Sequence, residues 1–253
     1  MHTITHRTEI LKKHLTDEHN QSTFAEYFKE VIYGGIDGIV TTFAVVAGFS
    51  GAALSNDTTT QLSFLVVLLF GLANLFADAA SMGLGNFLSV RSEKDLYNSA
   101  RDRETYEVRN NPQMEHEEAV TIMMQKGFSD EQAKSLANIY QTNEEYWVDF
   151  MMTHELEMSD PRGENPIATG FATFISFVIF GSIPLLPFVF FETATTSFVF
   201  SLSIFGTALA LISLGLLKWR VIGSDLFKSL FEVVAIGSVA AFIAFYVGTL
   251  FSV

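Results

Sequence analysis

The 253-residue chain has no cysteine. Disulfides, thiolate metal sites, iron–sulfur clusters and thiol nucleophiles are therefore excluded. Only oxygen, imidazole and thioether groups remain as protein ligands for a metal. Basic residues are also scarce, with 15 Lys and Arg against 28 Asp and Glu. Because nucleic acid binding needs a basic patch, we expect no polynucleotide partner, and cations are the favoured ligand class.

Residues 1–30 lack the apolar run and the small-residue cleavage site of a secretory signal. They predict a retained, partly amphipathic segment on the cytoplasmic side. Surface exposure is the default interpretation of the histidines in this segment, which are His2, His6, His14 and His19.

Long apolar runs are abundant, and five of them reach the roughly 20 residues that a membrane-spanning helix needs. They cover residues 31–54, 62–88, 166–191, 197–217 and 230–251. We predict an all-α membrane protein with five transmembrane helices, in which a helical cytoplasmic metal-binding domain is inserted between helices 2 and 3. The predicted parts are the N-terminal segment 1–30, helices 1 and 2 in 31–90, the inserted domain 91–165, and helices 3 to 5 in 166–253.

The distribution of basic residues predicts the orientation. The connectors 55–60 and 192–197 have no Lys or Arg, whereas basic residues flank the other ends of the spans. By the positive-inside rule, the N-terminus and the inserted domain are cytoplasmic and the C-terminus lies on the opposite side. The residues that set this orientation are Lys12, Lys13, Lys29, Arg91, Lys94, Arg101, Arg103, Lys218, Arg220 and Lys228.

Small residues recur at four-residue spacing within the spans. This spacing permits close helix contact in a bundle or a dimer, although lipid-facing positions are an alternative for each pair. The pairs are Gly34 with Gly38, Ala44 with Gly48, Gly206 with Ala210, and Gly237 with Ala241.

The inserted domain is the acidic part of the chain, with 17 Asp and Glu against 8 Lys and Arg in residues 91–165. We expect the second span to continue as one helix to Asn111, and Pro112 to start the next helix behind an Asn cap. Gly127 suits that helix's C-terminal end, Ser129 with Gln132 predicts a capping box, and a last helix is expected near 143–158.

Two pairs of glutamates in this domain have the spacing of cation ligands. Glu104 with Glu107, and Glu115 with Glu118, are each three residues apart and so share a helical face. If the two helices are antiparallel neighbours, four carboxylates meet. The alternative for such pairs is an ordinary solvated face.

The last helix of the domain adds thioethers. Met152 and Glu155 share a face, and Met151 lies about 100° round the helix from Met152. Thioether beside carboxylate favours softer ions such as Fe(II) over Mg or Ca, with core packing as the alternative role for each Met. His116 and His154 are accessory ligands at most, and because no helix carries a Glu-x-x-His pair, ferroxidase activity is not expected.

Acids also occur inside the apolar spans. Asp37 lies in the first span, Asp78 in the second, and Glu232 near the start of the fifth. Asn74, Asp78 and Met82 form one stripe of oxygen and thioether donors along the second span. An acid at this depth is functional by default, and it can exchange a proton for a metal ion. A buried structural hydrogen bond is the alternative.

Four blocks of this sequence resemble the vacuolar iron transporter family over roughly residues 30–250. The resemblance implies a homodimer that exchanges Fe(II) for protons, with Mn(II), Co(II) and Zn(II) as additional ions and no prosthetic group. It also implies an ion path between the two copies, lined by spans one and two. The blocks are GGIDGIVTTFAVVAGFSGA, LFADAASMGLGNFLSVRSEKD, WVDFMMTHELEM and FGSIPLLPF.

The resemblance places metal ligands on specific residues of this chain. Where some family members have a Glu in span two, this chain has Asn74, with Asp78 one turn later. A membrane-anchored metal store or sensor remains the alternative function, but a tether would need no acid or Met at membrane depth. The implied ligands are Glu104, Glu107, Glu115, Glu118, Met151, Met152 and Glu155 in the domain, and Asp37 and Met82 in the membrane.

Overall fold

The computed structural model describes residues 27–53, 60–191 and 194–250, and the regular secondary structure in these ranges is helical. The predictions for the N-terminal segment, its histidines and most of the first connector lie outside the described residues. The α-helices are α1 (Phe28–Ala53), α2 (Thr60–Asn110), α3 (Pro112–Gln125), α4 (Asp130–Tyr140), α5 (Glu144–His154), α6 (Pro166–Ser182), α7 (Leu186–Phe190), α8 (Thr196–Ile222) and α9 (Leu226–Leu250).

Five stretches of this helical structure are long and apolar enough to cross a membrane, which confirms the predicted number of spans. They correspond to α1, the apolar part of α2, α6 with α7, α8, and α9. The 51 residues of α2 make a helix about 76 Å long, far more than a hydrocarbon core of roughly 30 Å needs. The prediction that the second span continues into the inserted domain as one helix is confirmed.

The sequence suggested one regular helix for the third span, but the structure shows a broken one. A 3₁₀ turn at Ile183–Leu185 separates α6 from α7. Pro187 has no N–H to donate to the Ile183 carbonyl, so the Leu186 N–H bonds to that carbonyl instead and tightens the turn. Ser203 of α8 donates a hydrogen bond of 2.7 Å to the Pro184 carbonyl.

The connection between the fourth and fifth spans is shorter than predicted. Helix α8 continues to Ile222 and α9 begins at Leu226, so Lys218 and Arg220 lie on α8 rather than in a connector. Gly223 ends α8 in the left-handed conformation, with φ 71°. Lys218 donates to Glu232 of α9 at 2.5 Å, which gives this acid a structural partner.

The described chain divides into two compact units. The first unit contains the described residues up to Gly85 and those from Ala168 onward, and the second contains Asn86–Ile167. Helix α2 contributes to both. The first unit has two apolar clusters, one around Phe177, Leu75 and Val46, and one around Ile39 and Leu214.

Close helix contacts in the first unit depend on glycine. A Cβ on Gly38 of α1 would lie 2.5 Å from the Phe177 carbonyl oxygen of α6, and one on Gly34 would lie 2.7 Å from the Thr173 carbonyl oxygen. At Gly48, about three helical turns beyond Gly38 on α1, a Cβ would meet no atom within 4 Å. The predicted close contact is therefore confirmed for Gly34 and Gly38, against a helix of the same chain.

We predict that Gly38→Ala destabilises the protein, because backbone rather than a flexible side chain must move to admit the methyl group. Overpacking of this kind costs roughly 1–3 kcal/mol. A fluorescence-detected melting curve of the purified protein in detergent measures the effect. Gly48→Ala is the matched control and should melt like the wild type; equal melting of both variants would contradict the proposed contact.

The second unit has its own core, in which Tyr97, Ala119, Trp147 and other side chains from α2, α3, α4 and α5 are buried together. The predicted capping box is confirmed, because Ser129 accepts from the Gln132 N–H and Gln132 accepts from the Ser129 N–H. Gly127 has φ 102° just after the end of α3, as its predicted role requires.

Two expectations for this unit are corrected. Pro112 does start α3, but the Asn111 side chain does not cap it and instead donates to Glu107. Helix α5 ends at His154 rather than near Met158, because Glu157 adopts φ 51° and the Met158 N–H turns back to the Met152 carbonyl at 3.0 Å.

Candidate metal site

Three glutamates from different parts of the second unit converge. Glu104 lies on α2, Glu115 on the first turn of α3, and Glu155 directly after α5. One carboxylate oxygen from each lies within 4.8 Å of the other two. Three oxygens at this separation can coordinate one cation between them.

Two of these carboxyls are buried without a conventional partner. Glu104 and Glu115 are each 4% exposed, far below what charged residues usually show. Glu104 Oε1 and Glu115 Oε2 receive no hydrogen bond from any group in the described part of the chain. A buried oxygen with no donor is costly, so the pair needs a proton or a cation between its members.

The electrostatics agree with a shared proton in the metal-free protein. Burial, followed by the hydrogen bond to Glu104 and the charges of Glu104 and Glu118, raises the pKa of Glu115 to about 8. Glu155 is exposed as a residue, but partial burial of its carboxyl and the charges of Glu104 and Glu118 raise its pKa to about 7. The direction of these shifts favours a proton held between Glu115 and Glu104 near neutral pH.

The other predicted acids surround this set without joining it. Glu118 is half-buried on α3 and acts electrostatically on Glu104, Glu115 and Glu155. Glu107 is half-buried and accepts a hydrogen bond from Asn111 at the turn between α2 and α3. Two of the four paired glutamates thus lie in the tight cluster and two at its edge.

Met151 and Met152 are completely buried, each with 0% exposure, in the core of the second unit. This position fits the core-packing alternative, and it also leaves both thioethers on the turn that precedes Glu155. The histidines lie elsewhere: His116 is hydrogen-bonded to Asn138 at 3.1 Å, and His154 packs against the Phe150 ring at 4.7 Å.

Ion pairs fix α5 against α2. Arg101 of α2 pairs with Asp149 of α5, and Arg109 of α2 pairs with Glu144 of α5 at 2.7 Å. From the sequence, Arg101 was expected only to set the membrane orientation. The spacing from Tyr97 through Arg101 to Glu104 would have placed it on the helix face that carries the site.

A second set of contacts fixes the segment that follows the site. Lys94 of α2 donates to the backbone carbonyls of Arg162 and Glu164 at 3.1 and 2.6 Å. The Arg162 guanidinium lies 5.5 Å from the centre of the Tyr97 ring. Arg162 also bonds to Asp160, and this contact lowers the pKa of Asp160 to about 2.

The predicted membrane residues lie in the first unit. Asp37 is half-buried on α1, and its carboxylate is close enough to that of Asp78 on α2 to interact with it electrostatically. Asn74 donates to Asp78 Oδ2 at 2.7 Å, which confirms that the two share a face. Met82 is half-buried and packs against the apolar cluster around Phe177.

Asp37 also lines an open groove of about 590 Å³. The groove runs between α1, the end of α8 and α9, and its walls are mainly apolar side chains such as Ile32 and Ile236. Lys29 and Lys218 are among its lining residues.

These features define the class of the protein. Five apolar helices make it an integral membrane protein, and its second unit contains three glutamates close enough together to hold a cation. A sequence model described as the VIT family matches residues 28–249, and the chain belongs to this family.

Named relatives agree with this assignment. The chain is 36% identical over 250 residues to a vacuolar iron transporter of Toxoplasma gondii, covering 95% of this chain and 80% of the relative. It is 34% identical over 236 residues to vacuolar iron transporter 1 of Arabidopsis thaliana, covering 92% and 90%. A vacuolar iron transporter of Plasmodium berghei is 32% identical over 246 residues, covering 94% and 87%. Because the family's named members are transporters, the prediction that the chain is not an enzyme is confirmed.

We predict that the metal-free protein loses stability as the pH rises from about 5 to 8. The Glu115 pKa is raised from 4.5 to about 8 on folding, so in this window the native state keeps a proton that the unfolded chain has released. Each retained proton lowers the free energy of unfolding by at most ~1.4 kcal/mol per pH unit.

Melting curves in detergent with a chelator, recorded across this pH range, measure the slope. Glu115→Gln should make it shallower, because the amide can donate to Glu104 without titrating. Glu117→Gln changes an exposed acid of the same helix and should leave the slope unchanged. A wild-type slope that Glu115→Gln does not alter would mean that Glu115 is ionised in the native protein.

Proposed function

We propose that the protein transports Fe(II) out of the cytosol in exchange for protons, and that its second unit captures the metal on the cytoplasmic side. The observation that carries this proposal is the convergence of Glu104, Glu115 and Glu155, with buried oxygens that have no donor, in a chain of the VIT family. The relatives' names support iron as the cargo.

Capture follows from the chemistry of the cluster. In the absence of metal a proton satisfies the Glu104–Glu115 pair. A divalent cation supplies more positive charge at the same place, so it displaces that proton and restores both carboxylates to their ionised form. Glu118 and Glu107, at the edge of the cluster, increase the negative potential that attracts the ion.

The preference for a transition ion rests on the two methionines. Met151 and Met152 lie on the last turns of α5, shortly before Glu155, and thioethers are soft donors. Carboxylate with thioether suits Fe(II) and also admits Mn(II), Co(II) and Zn(II). A site of oxygen ligands alone would favour Mg or Ca.

Passage through the membrane is assigned to Asp37, Asp78 and Met82, with Asn74 supporting Asp78. Acids are expensive within apolar spans, so two interacting acids at this position support an ion path rather than a passive anchor. Asp78 takes the proton-coupling role of the Glu that some relatives have at the position of Asn74. The path lies between two copies in a homodimer, with lipid around the remaining faces.

The direction rests on the distribution of charge. Lys29, Arg91, Lys218 and Lys228 lie at ends of spans that the positive-inside rule assigns to the cytoplasm. The acidic second unit contains Arg91 near its start and is therefore cytoplasmic, with the C-terminus on the opposite side. Protons that enter the cytosol then drive Fe(II) outward.

We predict that liposomes containing the purified protein take up Fe(II) when a pH gradient is imposed, and take up much less without one. Asp37→Asn should reduce the gradient-driven flux at least tenfold, because the amide can neither neutralise the ion nor carry a proton. A chelator dye inside the liposomes measures the uptake.

Asp225→Asn is the control for this experiment. Asp225 is exposed between α8 and α9 and accepts from the Lys228 N–H, a cap that Asn also provides. Wild-type flux in the Asp37 variant would refute the membrane path. Metal binding without flux in the wild type would instead identify a membrane-anchored store or sensor.

A further inference from the structure

The indole of Trp147 is an unusual feature of the second unit. Trp147 lies on α5 and is 4% exposed, and its Nε1–H has no hydrogen-bond partner among the groups that the structure describes. Buried Trp N–H groups normally have an acceptor, because an unsatisfied donor is costly in an apolar core. An orphaned donor in a core that also forms a ligand site therefore suggests that its acceptor arrives with the ligand.

Two ion pairs place Trp147 beside the carboxylate cluster. On α2, Glu104 lies between Arg101 and Arg109, and on α5, Trp147 lies between Asp149 and Glu144. Because Arg101 pairs with Asp149 and Arg109 pairs with Glu144, the two helices run antiparallel and are held together on both sides of this level. Glu104 and Trp147 thus occupy the same level of adjoining helices.

Both side chains also face the same interior. Glu104 lies three residues after Arg101 and four residues before Val108, so the three share one face of α2. Val108 is buried in the cluster that contains Trp147. Glu104 Oε1 is a buried acceptor without a donor, and Trp147 Nε1–H is a buried donor without an acceptor. The two groups are therefore complementary in chemistry and lie at the same level of paired helices, yet they are not hydrogen-bonded to each other in this structure.

We propose that Trp147 is a positioning residue for the metal site, whose indole N–H donates to the Glu104 carboxylate when a cation is bound. The inference rests on the proposed metal capture by the second unit. With an ion bound at the site, one oxygen of Glu104 would face the ion and the other would accept from Trp147. Donors of this kind orient ligating carboxylates and commonly change metal affinity by 10–100-fold.

The chain is well suited to a direct test, because it has only two tryptophans. Trp219→Phe leaves Trp147 as the sole indole, and Trp219 is 40% exposed near the end of α8. Zn(II) is the probe, since a closed-shell ion is redox-inert and adds no d–d absorption band to the spectrum. Ultraviolet resonance Raman spectra of the full-length protein in detergent then report the hydrogen-bond state of the Trp147 N–H with and without Zn(II).

We predict that the N–H marker band shifts from a free to a hydrogen-bonded position when Zn(II) binds, and that Trp147→Phe weakens Zn(II) binding about tenfold. Replacing Trp147 with β-(3-benzothienyl)alanine, which keeps the indole's shape but lacks the N–H, should weaken binding to a similar extent. Circular dichroism verifies that the helical content of each variant is unchanged.

The outcomes separate this inference from the proposed function. Wild-type Zn(II) affinity in the benzothienyl variant, or a marker band that Zn(II) leaves unshifted, would overturn the role of the Trp147 N–H while the metal site stands. Failure of the wild-type protein to bind Zn(II), Mn(II) or Fe(II) would overturn both. If only Trp147→Phe weakens binding, the residue contributes packing and not a hydrogen bond, which also overturns the inference.

Discussion

The second unit is organised around two carboxyl groups that lie in an apolar core without an ion-pair partner among the described residues. Glu104 and Glu115 come from successive helices, and each is almost fully buried. Removal of two carboxylates from water without compensation would cost several kcal/mol, far more than a surface position would. The pair is stable in the core only with a proton or a cation between its members. The proposed exchange of metal for protons follows from this constraint.

The other parts of the unit support this arrangement. The turn at Asn111 and Pro112 folds α3 back, so that Glu115 on its first turn meets Glu104 on α2. The ion pairs of Arg101 and Arg109 hold α5 in the same core. Glu157 adopts a left-handed conformation two residues after Glu155, so the chain turns away from the helix direction there. The left-handed conformation costs a residue other than glycine about 1 kcal/mol. Backbone strain of this kind is typical of segments near functional sites.

Much of the fold could be predicted from local sequence. The five spans follow from length and hydropathy, and the capping box at Ser129 and the left-handed Gly127 follow from the requirements of helix ends. The break in the third span was not predicted, although Pro184 and Pro187 signal it, because a long apolar run conceals the loss of backbone donors. Lys218 and Arg220 were placed in a connector because the first charged residue was taken as the end of a helix that in fact continues to Ile222.

The site was only partly predictable for a different reason. Helix periodicity selects Glu104 with Glu107, and Glu115 with Glu118, as equivalent pairs. Only tertiary packing distinguishes them: one member of each pair turns into the core, while Glu107 turns to Asn111 and Glu118 stays half-buried. The burial of Trp147 without a partner is likewise invisible in the sequence, since it depends on how α2 and α5 are paired.

The most direct test of the account is the number of protons released when a metal binds. Calorimetric titration of Mn(II) into the detergent-solubilised protein at pH 7, in buffers with different ionisation enthalpies, measures this number. We predict release of at least about one proton per ion, and a smaller release in Glu115→Gln than in Glu117→Gln. Binding of Mn(II) with no dependence on the buffer would show that the buried pair holds no exchangeable proton, and would refute the exchange of metal for protons at this pair.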